Sequence, residues 1–304
     1  MRFAVFVMTY HRPEILGKTI VSLLGQSIQP EKILIIDNDP SFSAKVVAEK
    51  LTAFPIAYHA TGDNIGPAGA AAIGLKILSD EGYDWIGWMD DDDPPVFSDS
   101  FEKLLTLAQQ HPDCGCVGAV GHYFNVKTGL INRVADHELE GEGSIAVDNI
   151  AGGMCKIVSG NVFRKHHILP NKKLFYGFEE LEFDLQMKNA GYSLLTDKEL
   201  YKRNRLNANR LGYKLKRGLK KQESSLWREY YSTRNMLYIL RQHGSRKAVT
   251  SLIVRSLLKS FLGFRFGFKY GITNTRFILK ALFHFLKGTT GSIYLGQTKT
   301  STKV

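Results

Sequence analysis

The sequence predicts an α/β fold with a mostly parallel sheet and helices on both of its faces. Apolar runs of strand length occur at residues 3–8, 33–36 and 85–89, and stretches with helical spacing separate them. Strands that alternate with helices in this way are typical of parallel sheets. Polar residues collect directly after the strand-like runs, at 9–12, 37–39 and 90–93. Ligands bind such sheets at the carboxyl ends of the strands, so we expect the functional site there.

The elements of the first ninety residues follow from local patterns. Continuous apolar residues predict the three strands named above, and a shorter strand is expected at 57–59. Apolar residues three and four positions apart predict helices over 15–24, 42–53 and 70–78. The segment GDNIGPAG before the third helix is rich in glycine, which permits a tight turn.

Charge divides the chain into two regions. Residues 1–199 carry 17 Lys and Arg against 27 Asp and Glu, whereas residues 200–304 carry 23 against 2. Opposite charge balances predict two different binding surfaces. We therefore separate a domain of residues 1–200 from a basic amphipathic helical region of residues 201–304.

The basic region has the pattern of a helix that lies on a membrane surface. Helical spacing is present over 224–241 and over 246–287, where glycines at 263–271 interrupt it. Lys and Arg alternate with Phe and Leu, and no stretch of about 18 apolar residues occurs. We expect docking on an anionic membrane surface. A helical layer packed on the first domain is the alternative, and nucleic-acid binding is not expected because no recognisable module is present.

The cysteines and the amino terminus predict a cytoplasmic protein. Three cysteines are too few for a disulfide framework. The first twelve residues lack the features of a signal peptide and are interpreted as a buried strand. Together with the basic region, this predicts a peripheral position on the inner face of the cell membrane.

Four consecutive aspartates, Asp90 to Asp93, follow the third strand directly. Alternate residues can turn their carboxylates to the same side, so Asp90 and Asp92 are the candidate ligands of one divalent cation. Hard oxygen ligands favour Mn²⁺ or Mg²⁺, with water and substrate phosphate completing the shell. A solvated acidic turn is the alternative interpretation.

Several motifs resemble one enzyme family when taken in order. The opening VMTYHRPEILGKTIVSLLGQSIQPEKILIIDND, then NIGPAG, WMDDDDPP, FYGFEELEFDLQMKNAGYSL and WREYYSTRN resemble a family 2 inverting glycosyltransferase of the GT-A fold, from the rhamnosyltransferase and galactofuranosyltransferase branch. The resemblance covers about residues 1–240. It implies that the aspartate run is the D-x-D element, in which Asp90 and Asp92 hold the metal.

The resemblance also implies residues that contact the donor. These are Thr9, Arg12, Asp37, Asn64, Asp91 and Arg234. Structural alternatives stay open for several of them: Asp37 as a turn-forming residue, Asn64 as a helix cap, Arg12 as an exposed loop cation and Arg234 as part of a packed helix.

A carboxylate of the motif EE at 179–180 is expected to be the general base. The aspartate of the family aligns with Glu180, which is therefore the first choice, and Glu179 is the second. Stabilisation of a helix amino terminus by these acidic residues is the alternative. Relatives often carry a His where this chain has Asn209, which leaves a further metal or diphosphate contact unassigned.

The function that the resemblance implies is inverting transfer of a sugar from a nucleoside-diphosphate donor. UDP-galactofuranose and dTDP-rhamnose are the two donors expected first. The acceptor would be a cell-envelope or capsular glycan, free or linked to lipid, and a homo-oligomer is left open. The alternatives are nucleotidyl transfer to a sugar phosphate and a non-catalytic membrane-bound scaffold.

Overall fold

The computed structural model describes residues 1–51, 54–152, 155–213 and 220–293. The strands are β1 Phe3–Thr9, β2 Ile33–Asp37, β3 Ile56–Ala60, β4 Trp85–Asp90, β5 Cys114–Gly118, β6 Gly121–Asn125, β7 Leu130–Arg133, β8 Ser144–Ala146, β9 Asn149–Ile150, β10 Lys156–Ser159 and β11 Ser193–Asp197. The α-helices are α1 Pro13–Leu24, α2 Lys45–Lys50, α3 Gly66–Asp80, α4 Ser100–Gln110, α5 Asn161–His166, α6 Glu179–Asn189, α7 Lys198–Asn207, α8 Trp227–His243, α9 Arg246–Leu262 and α10 Phe268–Lys287.

An eight-stranded sheet in the order β3-β2-β1-β4-β10-β5-β11-β8 forms the centre of the molecule. The pairs β3–β2, β2–β1 and β1–β4 are parallel, as is β5–β11. Strand β10 enters antiparallel between β4 and β5, and β8 closes the edge antiparallel to β11. A small antiparallel sheet, β7-β6-β9, lies beside it. The mostly parallel sheet predicted from the sequence is therefore confirmed.

Alternate residues of β1 enter two different cores. Phe6 packs in a cluster with side chains of α3 and α6, whereas Val5 and Val7 pack in a cluster with side chains of α1 and α4. Both faces of the strand are buried, which explains why its sequence is continuously apolar. Helices cover both faces of the sheet, as predicted.

Within the described residues, α8, α9 and α10 lie in the basic region and confirm the helical pattern there. α8 is bounded by residues 227 and 243, and the break between α9 and α10 lies at residues 263–267. Among the described residues, no helix combines the length and the apolar character that crossing a bilayer requires. The division at residue 200 falls inside α7 and stays a prediction. Part of the Lys- and Arg-rich segment at 202–221, namely 214–219, lies outside the described residues.

Candidate active site

A cleft of about 1210 Å³ opens where β1, β2 and β4 end, as expected for a parallel sheet. Thr9, Arg12, Asn64, Asp90 and Asp92 line it, together with the 174–178 loop and the start of α6. The polar residues that follow separate strands in the sequence are thus brought together. Asp37, Asp91 and Arg234 do not contribute to its lining.

The carboxylates after β4 alternate between the cleft and the interior. Asp90 and Asp92 face the cleft, while the side chain of Asp91 is fully buried. Thr9 Oγ1 donates a 2.6 Å hydrogen bond to Asp91 Oδ2, and Thr19 Oγ1 donates to the Asp91 carbonyl at 2.5 Å. These hydrogen bonds hold Asp91 in the interior, while the side chains of Asp90 and Asp92 on either side of it face the cleft. The donor contact predicted for Asp91 stays a prediction, and the structure gives this residue a turn-forming position.

Arg12 is held by this aspartate turn. Its guanidinium lies 2.5 Å from Asp91 Oδ1 and also contacts Asp92 Oδ2. Burial disfavours the charged guanidinium, but Asp91, Asp92 and Asp90 outweigh that effect and raise the pKa of Arg12. The side chain is 42% exposed and lines the cleft, so it is available to an anionic ligand.

Asp37 and Asn64 both make the backbone contacts of turn residues. Asp37 is fully buried and accepts hydrogen bonds from Asp39 N at 2.9 Å, Ala44 N at 3.1 Å and Tyr58 Oη at 2.9 Å. Asn64 Oδ1 accepts from Gly66 N at 3.0 Å while the residue also lines the cleft. For Asp37 the contacts match the turn-forming alternative, and a ligand contact for either residue stays a prediction.

The 174–178 loop forms another part of the cleft wall, which its residues 175–178 line. Phe175, Gly177 and Phe178 all have positive φ, at 64°, 79° and 67°. This is the left-handed region, which costs a non-glycine residue about 1–2 kcal/mol. Such strain persists only where surrounding contacts over-determine the backbone. The loop is therefore held by its neighbours and not by its own preference.

Those neighbours lie on α8. Asn235 Nδ2 is 2.9–3.0 Å from the carbonyl oxygens of Leu174, Tyr176 and Gly177. Arg234 is fully buried and donates from Nη2 to the Leu174 carbonyl at 2.9 Å. The structure thus places Arg234 behind the loop, away from the cleft, in line with the alternative of a packed helix. Its predicted donor contact stays a prediction.

The two candidate bases begin α6 and line the cleft. Burial, followed by the charge of Glu180, raises the pKa of Glu179 to about 8. Burial also raises the pKa of Glu180, while Lys156 and a hydrogen bond from the Gly152 backbone oppose that rise. A Cβ on Gly152 would lie 2.2 Å from Glu180 Oε1, so a larger residue there would require this carboxylate to move. The contact with Gly152 was not predicted, since nothing local in the sequence indicates it.

The cleft concentrates negative charge that the protein only partly neutralises. Burial, then Glu180, Asp92 and the other aspartates of the turn, raise the pKa of Asp90 to about 7. Within the described residues, no three His, Cys, Asp or Glu side chains gather around one point in the way a complete metal site would require. Two carboxylates with hard oxygen atoms nevertheless fit a cation such as Mn²⁺ or Mg²⁺, which keeps water and phosphate ligands. The donor set therefore fits the expected metal.

An aromatic wall, which we define as Tyr176, Trp227 and Arg228, completes the cleft on the α8 side. The rings of Tyr176 and Trp227 are 4.8 Å apart between centroids, and the Arg228 guanidinium lies 5.7 Å and 5.5 Å from them. No role for these three residues was predicted from the sequence. The aromatic letters in FYGFEE and in LWREYY are the only signal, and aromatic residues of this kind more often belong to a core.

The chain is similar in sequence to known glycosyltransferases. The family model "Glycosyl transferase family 2" matches residues 4–166. The chain is 26% identical over 198 residues to galactofuranosyltransferase GlfT1 of Mycolicibacterium smegmatis, covering 61% of this chain and 65% of that protein. It is 27% identical over 202 residues to GlfT1 of Mycobacterium tuberculosis, with 62% and 65% covered. The chain thus spans slightly less than two thirds of the length of these relatives.

Solved structures show the same fold at low sequence identity. Mannosyltransferase PcManGT of Pyrobaculum calidifontis, in complex with GDP-Man and Mn²⁺, is matched with a TM-score of 0.54 at 12% identity, over 94% of this chain and 87% of that one. S. aureus TarS 1-349, in complex with UDP-GlcNAc, is matched with a TM-score of 0.56 at 13% identity, over 95% and 82%. These likenesses confirm the GT-A fold that the sequence predicted. Since the family model covers more than half of its length, the chain belongs to glycosyl transferase family 2.

Proposed function

We propose that this chain transfers one sugar from a nucleoside-diphosphate donor to a glycan acceptor with inversion at the anomeric carbon. The observation that carries the proposal is the meeting of Asp90 and Asp92, at the end of β4, with Glu180, at the start of α6, in one cleft. The GlfT1 relatives support a UDP-galactofuranose donor, and dTDP-rhamnose is the second donor to test. A cell-envelope or capsular polysaccharide is the proposed acceptor.

The donor occupies the end of the cleft near β1 and β4. Asp90 and Asp92 would hold a divalent cation, Mn²⁺ or Mg²⁺, which when bound would supply charge neutralisation for the departing diphosphate. Arg12 and Asn64 line the same end and bind the nucleotide. Arg12 also keeps Asp92 in place through their ion pair.

Glu180 serves as the general base. Its carboxylate accepts the proton of the acceptor hydroxyl while the hydroxyl oxygen attacks the anomeric carbon and the bond to the diphosphate oxygen breaks. The Gly152 backbone orients this carboxylate. Lys156 favours the charged form of Glu180. Burial and the charge of Glu180 raise the pKa of Glu179, so Glu179 is the second choice.

The aromatic wall is the proposed acceptor side. Tyr176 and Trp227 offer apolar faces to a sugar ring, and Arg228 adds a cation beside them. This combination suits a glycan that carries an anionic group, such as a lipid-linked diphosphate.

Thermal unfolding with nucleoside diphosphates, with and without Mn²⁺, tests the donor proposal. A nucleotide that binds the folded state raises the melting temperature, and we expect UDP or dTDP to do so only when the metal is present. Asp92→Asn should abolish both this shift and sugar transfer. Asp93→Asn is the matched control, since Asp93 belongs to the same turn but does not line the cleft. Full transfer by Asp92→Asn with both donors would contradict the proposal.

A further inference from the structure

The outer helices carry an unusually exposed apolar surface. Eleven of the 23 large hydrophobic residues that the structure shows as exposed lie between residues 254 and 286. The five on α9 are Val254, Leu257, Leu258, Phe261 and Leu262. Their spacing of three and four residues places them on one side of the helix. A packed helix normally turns such a stripe inward, yet α9 buries Ala248, Ser256 and Ser260 instead.

Helix α10 repeats the arrangement. Its exposed residues are Phe268, Ile272, Leu279, Phe283 and Leu286. At 3.6 residues per turn they also fall on one narrow side of the helix. Phe268 and Leu286 are 74% and 77% exposed, at opposite ends of the helix. We call the ten residues of the two stripes the apolar face.

Both stripes point away from the protein. The inward sides of α9 and α10 converge on Leu237 of α8, which packs with Ile278 and Leu282 of α10 and with Leu252 of α9. Because both helices turn these sides to the same residue, their exposed stripes lie on the outer surface of one layer. An exposed apolar area of this size is typical of an interaction site.

The charge beside the apolar face identifies its partner. Residues 246–287 contain nine Lys and Arg and no Asp or Glu. Lys269, Arg276, Lys280 and Lys287 are exposed and follow one another along α10 at helical spacing, beside the stripe. Apolar side chains next to a row of cations are complementary to a lipid surface with anionic headgroups. A second copy of the chain would bring like charges together at such a face.

We propose that the apolar face of α9 and α10 docks this protein on an anionic lipid bilayer, with its helices lying in the interface. Phe261, Phe268 and Leu286 enter the acyl boundary, and the cations of α10 contact lipid phosphates. The peripheral membrane position expected from the sequence is part of this proposal. It does not depend on the proposed transferase activity, because it rests on a different surface.

Flotation of the full chain with vesicles tests the proposal. Vesicles of phosphatidylglycerol and phosphatidylcholine should carry the protein to the top of the gradient, and pure phosphatidylcholine vesicles should carry at least tenfold less. The triple variant Phe261→Ser, Phe268→Ser and Leu286→Ser should lose binding by at least tenfold. The matched control is Val21→Ser, Val96→Ser and Leu206→Ser, which alters three apolar side chains that are also exposed but lie elsewhere.

A charge series separates the electrostatic contribution. At low ionic strength, Arg276→Gln, Lys280→Gln and Lys287→Gln together should lower the partition coefficient on the order of 100-fold, since each cation near an anionic surface contributes about 1 kcal/mol. The control is the triple variant Lys18→Gln, Lys50→Gln and Lys165→Gln. These lysines are also exposed, but they lie in residues 1–199, outside the basic region. Circular dichroism confirms that every variant is folded.

Three outcomes would overturn the proposal. The first is absence of wild-type binding to anionic vesicles, and the second is equal binding by the apolar-face variant and the wild type. The third is a dimer of the wild type in analytical ultracentrifugation that the apolar-face variant abolishes, with no vesicle binding by either protein. That last result would assign the face to a second copy of the chain.

Discussion

The backbone of Phe175 passes so close to Gly66 that a Cβ atom on Gly66 would lie 2.2 Å from the Phe175 carbonyl oxygen. Gly66 also has φ of 73°, and Ala68 N donates to the same carbonyl at 3.3 Å. The start of α3 and the 174–178 loop, which both line the cleft, are therefore in direct backbone contact. This contact holds the start of α3 against the 174–178 loop, which leads directly into Glu179 and Glu180 at the start of α6.

Replacement of Gly66 should damage both stability and the cleft. We expect Gly66→Ala to lower the free energy of unfolding by about 2–4 kcal/mol, through left-handed strain and a backbone clash. Gly62→Ala is the control, because Gly62 has φ of 77° but no atom within 4 Å of its added Cβ. It should cost only about 1–2 kcal/mol. Urea unfolding measures both, and equal losses would show that the contact with Phe175 is unimportant.

The two glutamates of α6 should differ in their effect on the rate. Glu180→Gln should lower kcat by about 10²–10⁴-fold, the usual contribution of a general base, with the melting temperature maintained. Glu179→Gln should have a smaller effect, because Lys156 favours the charged form of Glu180 whereas burial and the charge of Glu180 disfavour the charged form of Glu179. Steady-state transfer assays compare the two. A larger loss for Glu179→Gln would assign the base to that residue.

Stability in the absence of metal should fall as pH rises. The pKa values of Asp90 and Glu179, about 7 and about 8, lie above the ordinary values of 3.8 and 4.5. The folded state therefore binds more protons than the unfolded state between pH 4 and pH 8, and stability is lost as pH rises through the folded pKa values. Thermal unfolding from pH 5 to pH 8.5 should show this decline. Asp90→Asn should flatten it, and added Mn²⁺ should stabilise the wild type more at pH 8 than at pH 6.

A buried ion pair lies near the candidate base, where the charge of Lys156 favours the ionised form of Glu180. Lys156 Nζ lies 2.5 Å from Asp184 Oδ1, and both side chains are fully buried. Lys156→Met should lower the free energy of unfolding by about 3–5 kcal/mol, because it leaves a buried carboxylate without its cation. Lys76→Met is the control, since Lys76 and Asp80 are also 2.5 Å apart but about half exposed. That change should cost about 0.5 kcal/mol or less.

The aromatic wall should act on the acceptor and leave the donor unaffected. We expect Trp227→Ala to raise the acceptor KM roughly tenfold, the value of about 1.4 kcal/mol of lost contact. UDP binding with Mn²⁺ should stay at the wild-type level. Arg228→Ala should weaken an acceptor that carries a diphosphate more than a neutral glycan. Initial rates with both acceptors measure this, and equal effects on the two would remove the anionic contact from the proposal.

Much of the sheet could be predicted because it is buried on both faces. β1, β2 and β4 are continuously apolar, and their polar ends meet at one edge, so local pattern was sufficient. β10 could not be predicted in the same way. Its four residues, Lys156–Ser159, are too few to show a pattern, and their antiparallel place between β4 and β5 depends on distant segments.

The site was predictable in its residue types and less so in its side-chain directions. Asp90 and Asp92 face the cleft as the alternation predicted, whereas the inward position of Asp91 depends on Thr9, which lies on another strand. Arg234 belongs to the motif WREYYSTRN, yet its side chain lies behind the 174–178 loop, where it donates to the carbonyl oxygens of Leu174 and Gly291. Such long-range partners are not visible in a sequence pattern.

Helix α8 connects the cleft, the 174–178 loop and the helical layer that carries the apolar face. Its first residues, Trp227 and Arg228, border the cleft, Asn235 holds the 174–178 loop, and Leu237 supports the layer that carries the apolar face. A protein docked through that layer would hold its cleft at a fixed standoff from the bilayer. Only an acceptor whose reactive end reaches that distance from the bilayer could then enter the cleft.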